Sequence, residues 1–366
     1  MSLSIPNSVF PSALSNKKDY SLVIPDVHGS VLSLNETLFN TEKFVFEEGF
    51  NLNDIIFLGD FVDRGRYSME VIEQVLDLRR NYNVITLMGN HEAIMLRALV
   101  TKDFNNIFAW IFNGGFKTLV SLAKHICPLF ESLLLEMSKI FKTGFKRSHK
   151  DSFFDFFVQN YSDFVSMFDE ILADPKIISF LSHLQLSHYE DGNLFIHGGI
   201  DSNFIESRSF TVENWLEEMS LEFSNALQMA LDGDFTLFNS YDTVSKSSGG
   251  TQKASPFWFR NKDFTGLSQV ELLITEDYFK VAGIDRLIVG HCVVDEIKRF
   301  KFPGGTSVWF TDVGMSEAYS TFFEQGGILI PKKLSSTKSK VFESEVYYID
   351  SFGFYSSLTN VVALES

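Results

Sequence analysis

Cysteine is nearly absent from this sequence: only Cys127 and Cys292 occur in 366 residues. Two thiols exclude a disulfide framework and point to a reducing compartment. Long apolar runs are missing too. No stretch approaches the ~18 consecutive apolar residues of a membrane-spanning helix. The opening MSLSIPNSVFPSALSNKKDY lacks a charged segment followed by an apolar one, so no ordinary secretory signal is expected. Positive charge is in deficit, with 31 Lys and Arg against 47 Asp and Glu and a net charge of −16. Such a surface repels DNA and RNA phosphates, which excludes general nucleic-acid binding. It also repels a phosphorylated substrate, so any phosphate site must be made locally positive by metal or by arginine. There is no internal repeat and no low-complexity tract.

Phenylalanine, by contrast, is abundant, at 39 residues. The plain explanation is a core packed with Phe. With 45% hydrophobic residues, a chain of 366 buries one large core or two small ones. We read residues 1–366 as a single catalytic domain with a helical insertion at 93–190. Short apolar runs that read as buried strands are 21–25, 54–60, 83–90, 193–199, 286–291 and 307–314, with two more at 327–331 and 345–350. Between the second and third, the apolar residues Val71, Ile72, Val75, Leu76 and Leu78 share one helix face, with Ser68 placed to cap it. Alternating strands and helices predict an α/β architecture. The insertion has a helical period throughout. Its run 139–150 holds Lys139, Lys142, Lys146, Arg147 and Lys150 without an acid, which is either a docking patch for an acidic partner or a solvated helix end. The Ser- and Gly-rich stretch 243–256 reads as a loop, and the polar stretch 331–340 as an exposed turn.

The strand-like runs share an ending. Asp26-Val27-His28-Gly29 follows the first. Gly59-Asp60 and then Asp63-Arg64-Gly65 follow the second, and Gly89-Asn90-His91-Glu92 the third. His197-Gly198-Gly199, Gly290-His291 and Asp312-Val313-Gly314 end the fourth, fifth and sixth. The carboxyl ends of strands in α/β sheets face the ligand crevice, so these groups converge on one site. Asp, Asn and His together suit Mn²⁺, Fe²⁺ or Zn²⁺. Cysteine enters only as Cys292 beside His291, which argues against a structural zinc site. His125, His149, His183 and His188 lack such a context and read as structural. Each motif alone is commonplace, but the ordered set is not.

PDVHG, GDFVDRG, MGNHE, LFIHGG and IVGH, in that order between about residues 21 and 316, resemble the signature of the PPP-type, calcineurin-like metallophosphatases. The resemblance implies a β-sandwich of two mixed sheets flanked by helices and bearing two divalent metal ions, Mn²⁺ foremost. By position it assigns Asp26, His28 and Asp60 to the first ion. Asp60, Asn90, His197 and His291 go to the second, with Asp60 as the bridge. Two ions ~3.5–4 Å apart clamp a phosphoryl group and activate a water for in-line attack. His91 would then protonate the leaving oxygen, with Asp63 orienting its imidazole. Arg64 would grip phosphate oxygens, Arg260 would add a second cation, and Asn90 would also face substrate. Pro25 stands where the family usually has Gly, which stiffens the entry to the metal loop. PFWFR (256–260) and DVGMS (312–316) resemble bacterial-type branches, the Shewanella-like phosphatases and diadenosine tetraphosphatases, rather than the eukaryotic enzymes. The Phe-rich insertion resembles that of Legionella effector phosphatases of the Wip type, which would imply translocation into a host cell. The leading function is therefore a phosphoprotein phosphatase, with phosphoserine and phosphothreonine ahead of phosphotyrosine. A diadenosine polyphosphate hydrolase is the alternative, and a non-catalytic scaffold is disfavoured by the intact ligand set.

Overall fold

The structure is a computed structural model that describes residues 18–142, 146–242, 244–246, 252–315, 326–332, 346–350, 355–357 and 362–363. Its strands are β1 Asp19–Ile24, β2 Asn51–Phe57, β3 Asn83–Thr86, β4 Ser187–Glu190, β5 Asn193–Ile196, β6 Val244–Lys246 and β7 Gln252–Ala254. They continue with β8 Arg286–Val289, β9 Lys298–Lys301, β10 Ser307–Phe310, β11 Gly326–Pro331, β12 Tyr347–Asp350, β13 Tyr355–Ser357 and β14 Val362–Ala363. They form two six-stranded mixed sheets, ordered β13-β12-β11-β1-β2-β3 and β14-β9-β10-β8-β5-β4, plus the small hairpin β6-β7. One continuous hydrophobic core joins both sheets. This is the two-sheet α/β arrangement expected.

The central strands are apolar on both faces because helices or the other sheet cover both. β5, β8 and β10 are buried at every position. In the first sheet β1, β2 and β3 run parallel, with Leu22 beside Ile55 and Ile55 beside Val84. In the second, β5, β8 and β10 run parallel, with Leu194 beside Leu287 and Leu287 beside Val308. Parallel direction brings the carboxyl ends of each triplet to one edge, and the six motif-bearing loops leave from those edges.

Helix α1 (Val31–Glu48) links β1 to β2, and α2 (Ser68–Leu78) links β2 to β3. α2 buries Met69, Val71, Ile72, Val75 and Leu78. Ser68 does not cap it: Tyr67 takes that position, and Ser68 is the first helical residue, with its hydroxyl drawn 2.9 Å from Thr118 Oγ1. A buried tertiary hydrogen bond has outcompeted the local cap.

After β3 come α3 (Asn90–Thr101), α4 (Phe104–Trp110), a π-helical turn at Ile111–Gly115, α5 (Phe116–Ile126), α6 (Glu131–Ile140), α7 (Lys150–Gln159), α8 (Tyr161–Ala173) and α9 (Pro175–Ser182). Asp103 and Asp174 cap α4 and α9 by accepting backbone N–H bonds, and Pro175 opens α9. The phenylalanines make the internal core of this block. Phe104 lies 5.6 Å from Phe153 and 5.7 Å from Phe157, and Phe157 lies 5.2 Å from Phe164. The end of the segment read as helical needs correction. Ser187–Glu190 is a strand, antiparallel to β5. Its sequence SHYE is too polar and too short to signal one. The flanks of the Ser/Gly-rich stretch pair as β6-β7, and its centre, 247–251, lies outside the described residues, as does 333–340 of the expected polar turn. Within the basic run, Lys139, Lys142, Lys146 and Lys150 are all exposed, with Lys139 paired to Glu136 and Lys150 donating to Asn105 Oδ1 at 3.1 Å. No helix among the described residues is long and apolar enough to cross a membrane.

Candidate active site

The loops that leave the strands are unusually contorted. His28, Asp60, Asp63, Arg64 and His291 all take left-handed backbone conformations, with φ of 45°, 51°, 72°, 64° and 65°. Each costs about 1–3 kcal/mol for a non-glycine residue and persists only where its surroundings over-determine it. Here the Asp60 carbonyl accepts the N–H groups of Val27 and His28 at 3.1 and 2.8 Å. The buried Glu92 carboxylate accepts four more: Asp60 at 2.8 Å, Phe61 at 2.8 Å, Val62 at 3.1 Å and Gly89 at 3.0 Å. Gly89 also has to be glycine. A Cβ there would lie 2.1 Å from Asp60 Oδ1.

Asp60 stands at the centre. Its Oδ2 lies 3.5 Å from His28 Nε2 and its Oδ1 lies 3.5 Å from His197 Nε2, so one carboxylate faces two imidazoles on opposite sides. His28 and His197 are oriented alike. Nδ1 of His28 is 2.9 Å from the Val62 carbonyl, and Nδ1 of His197 is 2.9 Å from the Leu58 carbonyl. A carbonyl accepts, so each Nδ1 carries the proton and each Nε2 presents a lone pair to Asp60. Asn90 Oδ1 reaches His197 Nε2 at 3.1 Å, and Asp26 Oδ2 stands 3.9 Å from His28 Nε2. Asp26 Oδ1 accepts the backbone N–H of His291 at 3.0 Å. The structure thus brings Asp26, His28, Asp60, Asn90, His197 and His291 to one cluster.

His91 lies beside it. Its Nδ1 donates to Asp63 Oδ2 at 2.7 Å, which leaves Nε2 4.0 Å from Asp60 Oδ2. The Arg64 guanidinium donates to His28 Nε2 at 2.8 Å and to His91 Nε2 at 2.9 Å. The half-buried guanidinium of Arg64 therefore spans the face of the cluster, beside the acids. Arg260 stays at the rim as the residue preceding the helix Asn261–Thr265. Trp258, two residues earlier, sets its ring 5.9 Å from that of His291.

Residues 21–294 match the calcineurin-like phosphoesterase family, about three quarters of the chain. The chain belongs to that family. Among curated relatives, the serine/threonine-protein phosphatase 6 catalytic subunit of Drosophila melanogaster is 42% identical over 116 residues, 31% of this chain and 34% of the relative. The serine/threonine-protein phosphatase 4 catalytic subunit of Eremothecium gossypii is 42% identical over 118 residues, 30% of this chain and 32% of the relative. The chain spans about a third of the length of these relatives. Among solved structures, the cold-active protein-tyrosine phosphatase of a psychrophilic Shewanella superposes with a TM-score of 0.52 at 18% identity, over 94% of this chain and 80% of that one. At that identity the likeness is one of fold.

The electrostatics of the phosphoesterase cluster suit cations. Burial lowers the pKa of His28, His197 and His291 and keeps them neutral, the state a metal ligand needs. Burial also opposes the charge on Asp60, but the positive charge that His197, His91, His28 and His291 bring when protonated outweighs it and lowers the pKa of this carboxylate, so Asp60 favours whatever cation occupies the cluster. Asp26 is raised, by burial and then by Asp312 and Asp60. Asp312 is pushed up to about 7, chiefly by burial, and Glu92 up to about 8, by burial and Asp60. Among the described residues, the buried His291 Nε2 finds no hydrogen-bond partner. Acids crowded to the point of refusing charge, beside neutral imidazoles and an orphaned nitrogen, fit divalent cations. Distances alone group His28, Asp60 and His91 as one possible ligand set, and Asp60, His197 and His291 as another.

Four residues here had no role in the sequence reading. Glu92 and Asp312 were visible in the motifs, as a residue and as a strand end. Trp110 and Thr118 were not. Trp110 Nε1 donates to Asp63 Oδ1 at 2.9 Å, and Thr118 Oγ1 donates to the same oxygen at 2.8 Å. Nothing in their spacing announces contact with a residue about fifty positions earlier.

Proposed function

We propose that this phosphoesterase is a phosphoprotein phosphatase that hydrolyses phosphomonoesters, with phosphoserine and phosphothreonine ahead of phosphotyrosine. The observation that carries this reading is the division among the four imidazoles. Three are neutral, and two of these, His28 and His197, turn Nε2 toward Asp60. In His91, burial and the Arg64 charge are outweighed by Asp60 and Asp63, so its proton affinity is raised, and Nε2 is open to a proton once Arg64 leaves it for phosphate. One histidine is thus set up as a proton donor and three as metal ligands, which is what phosphomonoester hydrolysis without a covalent nucleophile requires.

Asp26, His28 and Asp60 would hold one divalent ion, and Asp60, Asn90, His197 and His291 the second, Mn²⁺ being the first candidate. When bound, such ions supply Lewis acidity and a water acidic enough to attack phosphorus at neutral pH. The chain's own residues do the rest. Asp60 sets the spacing of the ligands by facing His28 and His197 from one carboxylate. Arg64 swings from the two imidazoles to the phosphate oxygens, where its planar fork binds two at once. Arg260 adds charge at the rim. Asp63 holds Nδ1 of His91, and Nε2 delivers a proton to the departing oxygen. We read His91 as the acid rather than a ligand because Asp63 keeps favouring its protonated form once Asp60 is neutralised by cations. The names of the relatives in sequence favour phosphoserine and phosphothreonine, and the tyrosine phosphatase that shares the fold keeps phosphotyrosine in view.

The test is the Mn²⁺-loaded protein against phosphoserine, phosphothreonine and phosphotyrosine peptides and diadenosine tetraphosphate. The account expects kcat/KM to be highest on the first two. Preference for the dinucleotide over every phosphopeptide would overturn it.

A further inference from the structure

The site described so far is built from strand-end loops, with the helical block beside it. Its first helices, however, reach into the proton-donor pair. Asp63 Oδ2 holds His91, and Asp63 Oδ1 is held by Trp110 and Thr118. Thr118 Oγ1 also accepts the Asp63 backbone N–H at 2.7 Å and stands 2.9 Å from Ser68 Oγ. The next residue is held from the same segment: Arg64 N–H donates to the Gly114 carbonyl at 3.2 Å, and Lys117 Nζ donates to the Arg64 carbonyl at 2.6 Å. Asp63 and Arg64 are consecutive left-handed residues, a conformation that needs such external support. Trp110 has no freedom of its own. It is fully buried, and a Cβ on Gly115 would lie 2.4 Å from its indole. Asp63, Thr118 and His91 are equally buried, so these hydrogen bonds face no competition from water.

We propose that Trp110 and Thr118 are positioning residues for the proton transfer, fixing the Asp63 carboxylate so that His91 Nε2 faces the departing oxygen. This rests on the reading of His91 as the acid. In the reaction, water adds its oxygen to phosphorus and the bond to the leaving oxygen breaks with its electron pair. The His91 proton passes to that oxygen, and a water proton restores His91. The help of the acid matters in proportion to how badly the leaving group needs a proton. Phenolate needs it, whereas 2,4-dinitrophenolate, a stable anion, does not.

The test compares phenyl phosphate with 2,4-dinitrophenyl phosphate as substrates of the Mn²⁺-loaded enzyme, with metal content and thermal unfolding recorded for each variant. His91→Asn is the reference for a lost acid. Trp110→Phe removes the N–H together with the pyrrole part of the indole and keeps a buried aromatic ring, Thr118→Val replaces the hydroxyl by a methyl, and Thr118→Ser restores it. Loss of one hydrogen bond to a charged group corresponds to about 10-fold to 100-fold. We therefore expect kcat on phenyl phosphate to fall by that factor in Trp110→Phe and in Thr118→Val. KM and metal content should hold, dinitrophenyl phosphate should suffer far less, and Thr118→Ser should recover the loss. If His91→Asn discriminates between the substrates but both other variants slow the two equally, or slow neither, the inference is wrong. If His91→Asn itself does not discriminate, the acid assignment fails and the inference goes with it. Should one variant not fold, the other decides.

Discussion

Glu92→Gln isolates the framework of the site from its ligands. Glu92 touches no substrate position. Each of its oxygens accepts two backbone N–H groups, from Asp60 and Gly89 on one side and from Phe61 and Val62 on the other. An amide matches one of these oxygens and turns two N–H donors of its own against the other pair. Two hydrogen bonds to a charged acceptor are lost, at about 1.5–3 kcal/mol each, so the cost is about 3–6 kcal/mol. That is a large share of the 5–15 kcal/mol typical of a folded protein. For a chain of 366 residues, it corresponds to a fall in Tm of about 4–8 °C. Because the loop it ties down carries Asp60, metal affinity should fall with stability. The assay is thermal unfolding of wild type and variant well above pH 8, where Glu92 carries its charge, with and without Mn²⁺, together with metal content after dialysis. A variant that melts within about 1 °C of wild type and keeps its metal would refute the reasoning. It would mean that Glu92 is already a neutral acid in the folded protein.

Gly89→Ala should expel metal without unfolding the chain, because the new methyl would sit 2.1 Å from Asp60 Oδ1 and must displace that carboxylate; normal metal content would contradict this. Arg260→Ala should raise KM and weaken inhibition by free phosphate, since its charge already reaches His291; unchanged values would remove it from the site. In the chelated protein, His91 and Glu92 bind protons more tightly folded than unfolded, so stability should fall as pH rises from about 6.5 to about 8. Below that window the depressed His28, His197 and His291 act in the opposite sense. Each group contributes up to about 1.4 kcal/mol per pH unit, read as the urea midpoint, and a midpoint that rises across the window would contradict the assignment. Finally, changing the exposed Lys142, Lys146 and Lys150 together to Glu should spare a small aryl phosphate and impair dephosphorylation of a protein substrate; equal handling of both would make this face merely solvated.

The core of this site was legible because the proposed metal chemistry draws on a few residue types and the sheet confines them to strand ends. Asp26, His28, Asp60, Asn90, His197 and His291 could be read from their motifs in order, and the structure brings them together around Asp60. Asp63 and His91 could be paired in the same way, and they are 2.7 Å apart. What stayed hidden were contacts made by residues with no chemical signature. Trp110 looks like any buried aromatic of a Phe-rich helical block, and Thr118 like any helix threonine. Only the packing of that block against the loop after β2 turns them toward Asp63. Ser68 was misread for the same reason. Its position favours a cap, and a buried partner at 2.9 Å overrides it. β4 escaped because an edge strand of four polar-rich residues gains its stability from β5, not from its own pattern.

The central claim is that Asp60 bridges two divalent ions while His91 supplies the proton. It is tested most directly by titrating Mn²⁺ into the chelated protein and into its His91→Asn and Asp60→Asn variants, following bound metal and phosphatase activity together. The account predicts that wild-type activity saturates at about two ions per chain, the number a two-metal site requires. His91→Asn should still bind both ions while losing about 10²–10⁴ in kcat, and Asp60→Asn should lose metal and activity together. Full wild-type activity after the metal has been stripped, or loss of metal in His91→Asn, would contradict it.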